Sequence, residues 1–101
     1  MYIWNLQICR FMKNVHLIIQ GDVQGIGYRS WMKNECKKLG LTGWVKNRED
    51  GTVEAVVQGD ADAVAEIIEK SEKGPEVAWV EKVTTEEQPT DNNLVTFTVV
   101  Y

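Results

Sequence analysis

The chain has 101 residues, 44% of them hydrophobic and 26% charged, which makes one globular domain with a single core and leaves no room for two. Its 11 basic and 15 acidic side chains give a formal net charge of −4, the wrong sign for a surface that neutralises nucleic-acid phosphates. No apolar run approaches the ~20 residues of a membrane span, whereas a small anionic substrate stays open, since it needs only one local cationic pocket.

Residues 1–14 read as an N-terminal extension, expected to be flexible, ahead of a domain at 15–101. Tyr2, Ile3, Trp4, Leu6 and Ile8 are apolar, but there is no basic start, continuous apolar stretch or cleavage site, so a signal peptide is not indicated. Met12 could itself be a start. From Val15 to Gln20 the chain is apolar and β-branched, a buried strand that Gly21 ends. A glycine-punctuated loop follows. Tyr28, Met32, Glu35, Cys36 and Leu39 then recur at helical steps, and Gly40 stands where a left-handed C-terminal cap belongs. That face is mostly apolar, which makes Cys36 a core residue rather than a reactive thiol. Cys9 and Cys36 form no disulfide framework or metal pattern, and read as reduced thiols of a cytoplasmic protein.

Thr42–Asn47 and Thr52–Gly59 are strand patterns on either side of Arg48-Glu49-Asp50-Gly51, a hairpin signal. In the second of them Val53, Ala55 and Val57 should face the core, and Thr52, Glu54 and Gln58 mostly water. Asp60 suits a helix N-cap, its carboxylate taking an orphan amide. A helical stripe of Val64, Ile67, Ile68 and Ser71 runs to the stop at Gly74-Pro75. Val77–Thr85 is a strand whose imperfect alternation suggests a bulge. After a polar loop, Leu94–Tyr101 alternates as a last strand. The order β-α-β-β-α-β plus one strand, with a right-handed crossover in each half, predicts an α+β ferredoxin-like sandwich. Two helices lie on one face of a single antiparallel or mixed sheet.

The loop Gly21-Asp22-Val23-Gln24-Gly25-Ile26-Gly27 leaves a strand and enters a helix whose first turn holds Arg29. Glycines let successive amides point into one concavity, and the helix N-terminus adds partial positive charge. A cation in the first turn opposes the macrodipole unless an anion is present, so the segment reads as an anion cradle, with a plain tight turn as the alternative. The Gly-Lys-Ser/Thr ending of a phosphate loop is absent, and Gly25-x-Gly27-x-x-Ser30 lacks the third glycine of a dinucleotide fingerprint. Asn47 ends the returning strand, either as a turn former or as a carboxamide able to hold a water. His16, inside the first strand, reads as structural.

Gly21-Asp22-Val23-Gln24-Gly25-Ile26-Gly27-Tyr28-Arg29 resembles the first signature of the acylphosphatase family, in which valine and phenylalanine stand where this chain has Ile26 and Tyr28. Gly43-Trp44-Val45-Lys46-Asn47, with Asp50-Gly51-x-Val53-Glu54, resembles its second signature. The resemblance runs from about Val15 to Tyr101. It implies the same sandwich with an added C-terminal edge strand, and hydrolysis of a carboxyl-phosphate anhydride to carboxylate and inorganic phosphate. It makes Arg29 and Asn47 catalytic, and gives phosphate binding to the main chain of Gln24, Gly25, Ile26, Gly27 and Tyr28 together with Arg29. It implies a small acyl phosphate as substrate. No acidic residues are grouped in the ligand spacing of a calcium loop or zinc site, so no metal or cofactor is expected; a monomer without nucleic-acid or membrane partners is expected as well. Asp22 departs from it, standing where relatives often carry a basic residue. Two other readings share the fold: a non-catalytic phosphate-binding module, and a base-stacking RNA-binding sheet, for which the aromatic-rich motif and basic surround are missing.

Overall fold

The computed structural model describes residues 11–101, so the expectations for the extension before Phe11, and for Cys9, lie outside the described residues. Seven elements follow in order: β1 (Met12–Asp22), α1 (Tyr28–Lys38), β2 (Thr42–Asn47), β3 (Val53–Asp60), α2 (Ala61–Lys73), β4 (Trp79–Gln88) and β5 (Phe97–Val100). The sheet order is β4-β1-β3-β2-β5. β1 is antiparallel to β3 and β4, β2 is antiparallel to β3, and β5 runs parallel to β2 as an added edge. Both helices cover one face. Leu17, Ile19, Val45, Val53, Ala55 and Val57 meet Met32, Cys36, Val64 and Ile67 there, fully buried or nearly so. The β-branched residues at alternate strand positions make that inner face, and each large side chain contributes roughly 1.5–3 kcal/mol by leaving water.

Local signals hold at the expected joints. α1 ends in a Schellman motif: Leu41 N–H donates to the Cys36 carbonyl at 2.9 Å and Gly40 N–H to Lys37 at 3.1 Å. The bulge expected in β4 is present. Gln20 pairs with Lys82 but Gly21 with Val80, which leaves Glu81 without a partner position.

Five expectations need correction. β4 runs from Trp79 to Gln88 rather than from Val77 to Thr85. β1 starts at Met12, not Val15, because Met12 and Lys13 continue the ladder against Asp60 and Gly59. Asn14 is buried, so the packed domain begins before residue 15. Asp60 is the N-cap of α2 but makes no side-chain capping bond. The first helical amide, Ala61 N–H, donates instead to the Phe11 carbonyl at 3.0 Å. The second face of β3 is drier than its polar residues suggest. Gln58 is only 7% exposed, its Oε1 accepting from Asn14 Nδ2 (3.1 Å) and Asp91 N–H (2.7 Å) while Nε2 donates to the Asp91 carbonyl (2.9 Å). Finally, β5 begins at Phe97 rather than Leu94, because Asp91 turns the chain by accepting from Asn93 N–H (2.9 Å) and Leu94 N–H (3.2 Å).

Candidate active site

Several element ends meet at one edge of the sheet. Val53, the first residue of β3, is the partner of both Ile19 near the end of β1 and Asn47 at the end of β2. Val100, the last residue of β5, is the partner of Lys46. Residues 23–27 cross this edge from β1 to α1. Val23 is buried, and Ile26 packs against the core, which fixes the loop at two points. Between and after them Gly25 (φ +76°) and Gly27 (φ +83°) adopt left-handed backbone. A Cβ at either would meet nothing within 4 Å, so the requirement is conformational rather than steric. Gly27 is the N-cap of α1, whose N-terminus has no side-chain cap and no acidic residue in its first turn. Partial positive charge therefore stays uncompensated at the loop.

Arg29 adds a full charge. Its Nη1 donates to the Val100 carbonyl at 3.2 Å, and the guanidinium carbon lies 4.6 Å above the centre of the Tyr101 ring. Neither contact neutralises it, and no carboxylate of the described residues pairs with it. Asn47 lines an open groove of about 660 Å³ together with Lys46, Arg48, Glu49, Asp50, Glu54, Val100 and Tyr101. Arg29 and Asn47 are thus joined through Val100 and its pairing with β2.

The other expected anion-binding residues divide between main chain and side chain. Tyr28 turns its ring into the core, 1% exposed, and its hydroxyl donates to the Ser71 carbonyl at 2.8 Å. Burial pushes that phenol well above its ordinary value, so only the Tyr28 main chain faces the loop's chemistry. Gln24 directs its side chain to the β2–β3 hairpin, where Nε2 donates to the carbonyls of Arg48 (2.8 Å) and Thr52 (2.9 Å). The hairpin is closed from within by Asp50, whose Oδ1 accepts from the Thr52 hydroxyl (2.6 Å) and N–H (3.0 Å). The hydroxyl bond, then the N–H bond, holds the Asp50 carboxyl below its usual range.

Asp22, the last residue of β1, is exposed opposite Trp79 and does not line the groove. His16 meets Glu54 at 2.6 Å on the open face of the sheet, with Lys46 3.7 Å from the same carboxylate. Cys36 is fully buried, and burial pushes its thiol up to about 12, which leaves it inert as a nucleophile. Among the described residues no three of His, Cys, Asp and Glu are grouped so as to hold a metal ion, and no helix is long and apolar enough to cross a membrane. Sequence reasoning missed the support of Arg29 by Val100 and Tyr101, and the task of the Gln24 side chain. The closing aromatic residue was the one available signal for the former.

The acylphosphatase family model matches residues 15–99. The acylphosphatase of Thiobacillus denitrificans is 50% identical over 76 residues, covering 75% of this chain and 85% of its own. That of Alcanivorax borkumensis is 42% identical over 82 residues, covering 81% and 89%. The crystal structure of acylphosphatase from Bacillus subtilis superposes with a TM-score of 0.84 at 32% identity, over 90% of this chain and 100% of that one. With a model match over most of its length, and relatives of this identity and coverage, the chain belongs to the acylphosphatase family.

Proposed function

We propose that this chain hydrolyses acyl phosphates to a carboxylate and inorganic phosphate, without a metal ion. In this reading the main-chain N–H groups of Gln24, Gly25, Ile26, Gly27 and Tyr28, with the Arg29 guanidinium, hold the phosphoryl oxygens. Asn47 orients the attacking water. The observation that carries it is the union of three features at one end of the sheet: left-handed Gly25 and Gly27, an Arg29 paired with no carboxylate of the described residues, and Asn47 on the adjoining groove.

The chemistry asks little more. Water oxygen attacks phosphorus, and the bond from phosphorus to the acyl oxygen breaks. Its electron pair leaves on a carboxylate, stable without protonation, so no general acid is required. Fixed donors stabilise the redistributing phosphoryl charge, and Asn47 supplies proximity and orientation. A phosphoryl oxygen takes the water's proton. His16, 2.6 Å from Glu54, and buried Cys36 have no part. The reading is completed by a monomer in the cytoplasm acting on small acyl phosphates, with no nucleic-acid partner, in keeping with the net charge of −4. No observation favours a non-catalytic binding module over it.

The test is hydrolysis of benzoyl phosphate by the purified protein, before and after exhaustive chelation, with Arg29→Ala beside it. Turnover that survives chelation and falls about 10²–10³-fold or more in the variant is expected. A folded wild type without turnover, or an Arg29→Ala protein as fast as wild type, overturns the reading.

A further inference from the structure

We infer that the Gln24 side chain is a positioning residue that ties the anion loop to the end of β2 and so sets Asn47 against the phosphoryl group. The inference rests on the function proposed above, but assigns work to a side chain for which that function needs only the main chain. Gln24 Nε2 has two N–H groups, and they reach Arg48 O at 2.8 Å and Thr52 O at 2.9 Å. These carbonyls belong to the neck of the hairpin. Arg48 follows Asn47 directly, and Thr52 precedes Val53, the strand partner of Asn47. The Thr52 carbonyl also accepts from Arg48 N–H at 2.9 Å, closing the neck across the two strands. One carboxamide therefore bonds both sides of the hairpin neck, one residue beyond Asn47 and its partner Val53, from a loop that Val23 and Ile26 already anchor to the core.

The geometry is selective for this side chain. Asparagine is one methylene too short to reach both carbonyls, and glutamate would set acceptor against acceptor. Methionine keeps the length but donates nothing. Because the Gln24 main-chain N–H survives every such change, anion binding and water placement separate.

The experiment compares full-length wild type, Gln24→Met and Gln24→Asn for kcat and KM on benzoyl phosphate, competitive inhibition by inorganic phosphate, and hydrogen exchange of the amides from Arg48 to Thr52. A kcat about 10–100-fold lower is expected in both variants, the scale of a misplacement near 1 Å. KM and the phosphate inhibition constant should stay within about threefold, since anion binding is kept, and exchange at the hairpin neck should accelerate. A kcat like that of wild type overturns the inference. So does phosphate inhibition that weakens by the same factor as kcat falls, or hairpin exchange that does not change. If wild type hydrolyses no acyl phosphate, the proposed function fails, and the exchange arm alone then decides whether Gln24 ties loop to hairpin.

Discussion

Arg29 Nη1 donates to the carbonyl oxygen of Val100 at 3.2 Å, across 71 positions of sequence. Val100 pairs with Lys46, next to Asn47, so the edge strand β5 joins the helix that carries the cation to the strand that carries the carboxamide. A main-chain carbonyl orients the guanidinium while leaving its charge for an anion, which a carboxylate in the same place would not do. The Tyr101 ring, 4.6 Å away, offers a π face with the same property.

Removing that ring tests how much orientation matters. Tyr101 is 93% exposed, so Tyr101→Ala should fold as wild type does and lose about 2–5-fold in kcat/KM, the scale of an exposed cation–π contact. Arg29→Lys should lose far more, because an ammonium cannot donate to Val100 and to a phosphoryl group with one planar fork. Steady-state kinetics on benzoyl phosphate measures both. A lysine variant equal to wild type would show that charge alone suffices.

Asn47 makes a different prediction from Arg29. A side chain that orients water but holds no anion should, on change to alanine, lower kcat about 10²–10³-fold with inorganic phosphate inhibiting as before. Loss of phosphate inhibition in parallel with kcat would place the carboxamide on the anion instead.

Much of this architecture can be read from local pattern, and what escapes is non-local. Alternation in β1 marks Val15, Leu17 and Ile19 because a buried face needs apolar residues, yet Met12 to Asn14 show no such pattern and are strand because β3, and at Asn14 also β4, lies beside them. Gln58 reads as a wet residue by type. It is buried because Asn14 and Asp91, 44 and 33 positions away, satisfy its carboxamide. The glycine loop is legible since its glycines and Arg29 are neighbours in sequence. The partners of Arg29 and of the Gln24 side chain come from other parts of the chain, and no spacing announces them.

Asp22 illustrates the same limit. By sequence position it threatens an anion site, but its side chain is exposed at the end of β1, across from Trp79, where solvent and salt screen it. Exposed charges are largely screened beyond about 8 Å at 0.15 M salt. Asp22→Asn should therefore change kcat/KM by less than about twofold at that ionic strength, with a small rise at low salt. A rise of about tenfold at 0.15 M would put the carboxylate next to the substrate.

Alkaline stability gives a test of the core beneath the site. Burial raises both the Cys36 thiol, from 9.0 to about 12, and the Tyr28 phenol, from its ordinary 10.0. Each is neutral in the fold at a pH where the unfolded chain has already released its proton. The unfolded state then binds fewer protons, so stability falls as pH rises above about 9, by about 1.4 kcal/mol per pH unit for each group once its unfolded form is ionised. It stops falling for Cys36 near its folded value of about 12. Below pH 9 the contribution is complete. Below pH 9 Cys36→Ala lowers stability by leaving a small cavity, but it removes one of the two titrations. Urea midpoints of wild type and variant should therefore converge between pH 9 and 10, the Tyr28 titration being present in both. Parallel curves across that interval would mean that the Cys36 thiol ionises as easily in the fold as outside it.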